Sequence, residues 1–389
     1  MTTSGRPTRP AWLLNLVSRR WNKRQKTTKE WHGLQNRTSD SKVILYFSDV
    51  NSYSRAHARV RALADLSHAV VCIPSQRIAG ANLDYAKTTL ADKIMNRIAP
   101  RRMQRSLRRS LASMLTEVQP NIFWADKPWM LGGADTRYLR EQSIQTKFVL
   151  FTEDDLWLRH NRSKAMEESI PEYDVVFTTK QNNILNQELE KLGARRVAFV
   201  TQAFDPYQHY PQKLTPNDKL AYGAAAGFIG NFEAERAQSI SRLAEAGVKV
   251  RVWGNGWHQR RPEKAQIEGV PMFNSSRGLF YSKAICATDV NLGFLRHQNR
   301  DTHTSRTFEI PACGGFLLAE RSKEHESLFV PDKEAAFFSS DEELIEKAIF
   351  YLRNPTIRLK IAKAGYERCL NNYTSVKQMS RALELINAN

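Results

Sequence analysis

No run of 18 or more apolar residues occurs in the 389-residue chain, so no bilayer span is expected. Cysteine is scarce. Cys72, Cys286, Cys313 and Cys369 are far apart and make no C-x-x-C pair. That argues against a disulfide framework or a thiolate zinc site and fits a reducing compartment. There is no internal repeat of solenoid length, and nothing has the pattern of a helix-turn-helix, an RNA-recognition strand or a zinc module. Acidic residues are scarce in one place: residues 1–110 hold 22 Lys+Arg against 6 Asp+Glu, so they carry +16 of the formal net charge of +18. A field this lopsided marks one end of the molecule for a polyanion, whether an anionic membrane, an acidic glycan or a nucleic acid.

What is present begins with a basic arm at residues 1–42. Its apolar run Ala11–Val17 is short and broken by Asn15. Arg19-Arg20 and Lys23-Arg24 follow it in place of a small-residue cleavage site, so no signal peptide is expected. Trp12, Leu13, Leu16, Val17 and Trp21 can share one helical face, with Arg19, Arg20 and Arg24 elsewhere. That pattern suits a membrane surface, and equally a tail or a helix docked on its own protein.

From Val43 the pattern becomes strand, helix, strand, helix. Strands are expected at Val43–Phe47, Ala69–Ile73, Asn121–Trp124, Phe148–Phe151, Val175–Thr178 and Val197–Val200. Helices are expected at Arg55–Leu66, Asp135–Gln142 and Gln181–Leu192. Pro206, Pro211 and Pro216 punctuate a linker at 206–222. A second alternation follows. Its strands are expected at Gly227–Gly230, Val248–Trp253, Val290–Leu295 and Phe316–Leu318. Its helices are expected at Glu233–Ala246, Thr304–Ala312, Asp341–Arg353, Pro355–Asn371 and Ser375–Ile386. The expected fold is α/β, two Rossmann-like doubly wound parallel-sheet domains at 43–205 and 223–373 facing a central cleft. A C-terminal helix in 374–389 can pack back on the first domain. Ligands of such sheets bind beyond the carboxyl ends of the strands.

The segment Asp301–Glu320 reads as a polar loop, a short helix, a glycine pair and a buried strand. Thr304 and Ser305 at the helix start leave backbone N–H groups for a phosphate. Arg306 can meet phosphate bidentately. Glu309, in line with Arg306 on the helix, can accept two hydrogen bonds from a ribose diol. Around it the sequence resembles a family. Phe308-Glu309-Ile310-Pro311-Ala312-Cys313-Gly314-Gly315-Phe316-Leu317-Leu318, then Asp341-Glu342-Glu343-Leu344, Asn354-Pro355 and Ala362-Lys363-Ala364-Gly365, resemble the C-terminal domain of group 1 glycosyltransferases of the GT-B fold, closest to the spore-maturation (CgeB-like) branch. The resemblance covers Thr304 to Tyr373. It implies a nucleotide-diphosphate sugar as donor, with Glu309 on the nucleotide ribose. It implies a second carboxylate eight residues earlier, where Asp301 stands in place of the usual Glu. More weakly it extends to Gly227–Arg236, where Gly230, Asn231 and Arg236 would approach the diphosphate. Gly254, in Trp253-Gly254-Asn255-Gly256-Trp257, would lie in the loop bordering the base.

The first domain offers carboxylates where strands end: Asp126, Glu153, Asp154 and Asp155, with Asp49, Asn51 and His57 after the first strand. In GT-B relatives such positions face the acceptor and the scissile bond. Asp154, Asp155 and Asp126 are the candidates to act as base on an acceptor hydroxyl or to steady an oxocarbenium-like transition state. The expected activity is sugar transfer to a hydroxyl of a cell-surface glycan or glycolipid precursor, without a required metal or other cofactor. An alternative is a metal-dependent transferase holding Mg²⁺ or Mn²⁺ through Glu153 and Asp155. Another is a non-catalytic basic relative that binds nucleic acid or membrane. The run 97–114 adds a cationic face of Arg101, Arg105, Arg108 and Arg109 and an apolar face of Met103, Leu107, Leu111 and Met114. Together with 1–42, this face suits an anionic bilayer, or else a solvated surface whose apolar side lies on the domain core. The expected location is cytoplasmic, peripheral on the inner face of the membrane.

Overall fold

The computed structural model describes residues 41–48, 54–75, 100–257, 267–270 and 279–388. The arm at 1–40, Asp49, Asn51 and Arg97 lie outside the described residues.

Two six-stranded sheets are present, both wholly parallel. The first joins β1 (Val43–Ser48), β2 (Ala69–Pro74), β3 (Ile122–Asp126), β4 (Lys147–Thr152), β5 (Val175–Thr178) and β6 (Val197–Phe199) in the order β2-β1-β3-β4-β5-β6. The second joins β7 (Ala224–Ile229), β8 (Val250–Trp253), β9 (Ile267–Val270), β10 (Thr288–Gly293), β11 (Leu317–Glu320) and β12 (Ala336–Phe338) in the order β12-β11-β10-β7-β8-β9. Each chain path starts in mid-sheet, runs to one edge and crosses back, which leaves a switch point between β1 and β3 and another between β7 and β10. Strands covered on both faces need continuous apolar runs, and β3 is buried along its whole length.

Helices cover both faces of each sheet. On the first, the helix Pro100–Val118 lays Leu107, Leu111 and Leu115 into the core, each fully buried. Arg105 and Arg109 stay exposed, and Arg108 covers the ring of Tyr138. The apolar side of this basic helix is therefore inside its own domain. On the opposite face, Met379, Ala382, Leu383 and Ile386 of the helix Ser375–Asn387 join Ile44, Tyr46 and Trp124 in one core. The chain leaves the first domain at Phe204 and returns at Thr374. The two crossings lie side by side: Phe204 N–H donates to the Tyr373 carbonyl at 3.2 Å, and Ser375 N–H to the Phe204 carbonyl at 2.9 Å.

Some elements differ from expectation. The helix expected over 181–192 is split into Gln181–Leu185 and Glu188–Lys191, with Gln187 at φ +51°. The buried Asn183 amide is drawn inward to Asp155 and Glu188, and the chain turns out of the helix to let it. The proline-punctuated linker contains a helix of its own, Pro216–Tyr222, started by a reciprocal Thr215–Asp218 cap. Strands β9 and β12 are too short, or too glycine-broken, to stand out as periodic segments. No helix among the described residues is long and apolar enough to cross a membrane.

Leu111→Ala removes a fully buried side chain and is expected to cost about 2–5 kcal/mol. Arg109→Ser, on the opposite side of the same helix, should stay within about 0.5 kcal/mol. Urea unfolding of the two variants measures the difference; equal effects would mean that the helix is not anchored by its leucines.

Candidate active site

The second domain's switch point presents a loop with little freedom. Gly230 follows β7, and a Cβ there would stand 2.6 Å from Cζ of Phe228. Its carbonyl accepts the Trp257 indole N–H at 2.8 Å. Gly254, at φ +155°, lies against the same carbonyl so closely that a Cβ would come within 2.0 Å of it. Phe232 N–H donates to the Asn255 carbonyl at 2.9 Å. The segment 253–257 thus buttresses the loop after β7 from behind. That is the contact the structure gives Gly254, the residue that the family resemblance sets beside the base.

Two arginines flank Phe228. The Arg236 guanidinium is 5.4 Å from the ring centroid and that of Arg306 is 5.5 Å. Arg236 is buried. One terminal nitrogen donates to Glu233 at 2.7 Å, another lies 3.4 Å from the Asn231 carbonyl, and Nε has no partner. Burial, and then the like charge of Arg306, pull its pKa below the ordinary value. Arg306 has a buried, unpartnered Nε and no carboxylate among the described residues. Arg296 shares Glu233, at 3.1 Å. Positive charge here exceeds the negative charge set against it, which is the electrostatic signature of a site for an anion.

Arg306 opens the helix Arg306–Ala312, and Glu309 lies one turn on. The start is tightened by the Thr304 N–H, which donates to the Thr307 hydroxyl at 3.1 Å; Thr304 and Ser305 are both buried. Glu309 is 8% exposed. Its Oε2 accepts the Tyr281 hydroxyl, and its Oε1 lies 3.9 Å from Nε2 of His209. Nδ1 of His209 accepts the Asp205 N–H at 3.1 Å, so a neutral His209 carries its proton on Nε2, toward Glu309. Burial, and then the Glu309 charge, raise the Tyr281 pKa well above its usual range. Half-exposed Arg55, from the first domain, is near enough to feel the Glu309 charge. Glu309 is thus not sealed in one domain's core: the linker reaches it through His209.

On the first domain, Arg59 is buried between two strand-end carboxylates. It reaches Asp126 at 2.5 Å and Glu153 at 2.6 Å, and Arg55 pairs with the other Glu153 oxygen. The Tyr46 hydroxyl donates to Asp126 at 2.8 Å. The three carboxylates expected at the scissile bond therefore part company. Asp126 is buried, its Oδ2 held by Tyr46 and Arg59. Asp155 is fully buried against Arg300 of the second domain, at 2.6 Å, because the strand end turns it inward. Asp154 alone stays partly open, paired with Lys127. Asp301, the carboxylate eight residues before Glu309, pairs with buried Lys180 across the cleft and accepts Asn299 Nδ2 at 2.8 Å. The metal alternative finds Glu153 and Asp155 committed to different arginines, and no cluster of three His, Cys, Asp or Glu suited to a metal exists among the described residues. His57 sits in the first turn of Arg55–Asp65, its N–H donated to Ser54. Arg55, His209 and Tyr281 were not singled out from the sequence, since they belong to no motif and only the fold gathers them.

Comparison with known proteins bears on the fold and the family. Residues 236–384 match the family model described as glycosyl transferase-like. Solved structures with the same fold include the Anabaena protein Alr3699/HepE in complex with UDP-glucose. It is 12% identical, with a TM-score of 0.56, and the match covers 88% of this chain and 100% of that one. Sucrose-phosphate synthase from Thermosynechococcus elongatus is 11% identical, with a TM-score of 0.60 over 88% and 98%. An alpha-glucosyltransferase bound to UDP-glucose and DNA is 11% identical, with a TM-score of 0.62 over 90% and 100%. These structures show the GT-B fold, and the glycosyl transferase-like family model matches the part of the chain that holds most of the second sheet and the C-terminal helices. The chain is also similar to the spore protein CgeB of Bacillus subtilis (strain 168). The two are 24% identical over 215 residues, 52% of this chain; the matched stretch spans 64% of that relative's length.

Burial pushes the Glu153 pKa up, but the charges and hydrogen bonds of Arg55 and Arg59 outweigh it and bring it down to about 2 from an ordinary 4.5. A carboxylate depressed on folding stabilises the native state fully above its unfolded value. That contribution is lost as pH falls from 4.5 toward 2. Wild type and Glu153→Gln should therefore differ most in stability near neutral pH and converge through that acid window. A gap of constant size across a pH series of urea unfolding curves would contradict the assignment.

Proposed function

We propose that the chain transfers a sugar from a nucleotide-diphosphate-sugar donor to a hydroxyl acceptor. The observation that carries this reading is the under-neutralised pair Arg236 and Arg306 at the β7/β10 switch point, with Glu309 one helical turn beyond. In this reading the arginines take the diphosphate and stabilise the charge that develops as the bond between the anomeric carbon and the phosphate oxygen breaks. The N–H groups around Thr304 and Ser305, and the close backbone approach at Gly230 and Asn231, assist them. Glu309, held by Tyr281, receives the ribose hydroxyls. The structural neighbours crystallised with UDP and UDP-glucose support a donor of this type.

The acceptor approaches from the first domain's strand ends. Asp154, the strand-end carboxylate with a quarter of its side chain open, is the proposed base for its hydroxyl, while Asp126 and Asp155 anchor arginines. Trp129 and Trp157, on the loops after β3 and β4, are 40% and 38% exposed, and Lys127 lies 5.0 Å from the Trp129 ring. Exposed indoles beside charged groups suit a sugar face, which favours a glycan or lipid-linked acceptor. Exposed Arg105 and Arg109, with the basic arm at 1–42, support docking on an anionic membrane. Free thiols at all four cysteines fit action in the cytoplasm. The paired arginines supply the charge a divalent ion would otherwise bring, so chelation with EDTA should leave turnover unchanged.

Arg306→Ala should weaken nucleoside diphosphate binding by about 1.5–3 kcal/mol, roughly ten- to a hundredfold in Kd. Glu309→Ala should weaken the nucleotide markedly. Calorimetry with UDP, GDP, dTDP and CDP checks both; full affinity for every nucleotide in either variant refutes the site. Trp157→Ala should raise the acceptor KM and leave the donor Kd alone, and a donor-only effect would remove the indoles from the acceptor path.

A further inference from the structure

Asp155 and Glu188 of the first domain have side chains 0% and 6% exposed. Asn183 donates one N–H to each, at 2.9 and 2.8 Å, which holds the two carboxylates together without neutralising either. Among the described residues their cation is Arg300 alone, and it comes from the second domain. Its Nε reaches Asp155 at 2.6 Å, and its two terminal nitrogens reach Glu188 at 2.9 and 2.7 Å. Buried carboxylates without a cation are strongly unfavourable, so the first domain's interior is completed by a residue it does not contain.

The segment bearing Arg300 is built for this contact. Arg300 stands at φ +48° and ψ 38°, a left-handed backbone that a non-glycine residue keeps only where its surroundings impose it. The side-chain oxygen of Asn299 accepts Asn161 Nδ2 at 2.7 Å, and Asp301 pairs with Lys180. Upstream, Arg296 holds Glu233, the carboxylate that also holds Arg236. Downstream the chain reaches Arg306. One stretch, Arg296–Arg306, therefore bears the interdomain contact and one proposed phosphate ligand, and is tied to the other. The covalent hinge is only two crossings wide, at Phe204 and Thr374, which by itself leaves the domains free to swing.

We infer that Arg300 is a positioning residue. Its clasp on Asp155 and Glu188 holds the two domains in the register at which a donor bound by Arg236 and Arg306 faces the first domain's strand ends. The inference rests on the nucleotide-sugar reading above. Closure is set by this contact, and a fork that grips two carboxylates at once defines one orientation where a point charge would allow many.

The test uses the full chain with Arg300→Lys, Glu188→Gln and the double variant. The measurements are small-angle scattering, nucleoside diphosphate Kd, steady-state kinetics and melting temperature. Arg300→Lys should enlarge the scattering radius, change the nucleotide Kd less than about threefold and lower kcat at least tenfold. Glu188→Gln should act in the same direction, and the double variant should be no worse than Arg300→Lys, since both remove one contact. A kcat loss that merely follows a loss of melting temperature and nucleotide affinity overturns the positioning role. An unchanged scattering radius in the double variant overturns the clasp whatever the kinetics. If the wild type binds no nucleotide, the functional reading is what fails, and scattering still decides the clasp.

Discussion

Charge balance at the carboxyl ends of two parallel sheets governs this molecule. The first domain buries Asp126, Asp155 and Glu188 and half-buries Glu153 near its strand ends, and each demands a cation. Arg55 and Arg59 serve Asp126 and Glu153 from within the domain, whereas Asp155 and Glu188 take Arg300 from across the cleft. The second domain has the opposite imbalance: Arg236 and Arg296 share one carboxylate, Glu233, and Arg306, close to Arg236, pairs with none among the described residues. One domain is neutralised in part by its neighbour, and the other keeps positive charge in hand where its chain path switches direction.

That asymmetry links fold to chemistry. Parallel strands place all their carboxyl ends on one edge, so two sheets packed edge to edge bring both sets of loops together. Most of the acidic groups are paired with arginines that fix geometry, and the basic loops carry guanidinium nitrogens without a partner. Glu309 stands at the junction, touched by Tyr281 of its own domain, facing His209 of the linker and within the field of Arg55 opposite. Gly230 and Gly254 let the loop after β7 lie close against Phe228, and the two guanidinia flank the same ring.

The basic helix Pro100–Val118 illustrates how burial settles what periodicity leaves open. Its amphipathic pattern suits a bilayer or a protein core equally well. Leu107, Leu111 and Leu115 are fully buried, so the apolar stripe belongs to the core, and exposed Arg105 and Arg109 remain to meet any anionic partner through charge alone.

The local chemistry of the chain was enough to determine the two α/β halves, because buried parallel strands require continuous apolar runs and leave them plainly visible. The helix carrying Arg306 and Glu309 was legible for a similar reason: its polar start, glycine pair and following strand are contiguous. Only the tertiary structure decided which strand-end carboxylates stay open. Asp126, Asp154 and Asp155 look alike in sequence, and what separates them is the arginine or lysine each meets, contributed by residues up to 145 positions away. It also brought His209 and Tyr281 to Glu309 and paired Asp301 with Lys180, since pairing between buried charges depends on distance in space, which sequence spacing does not encode.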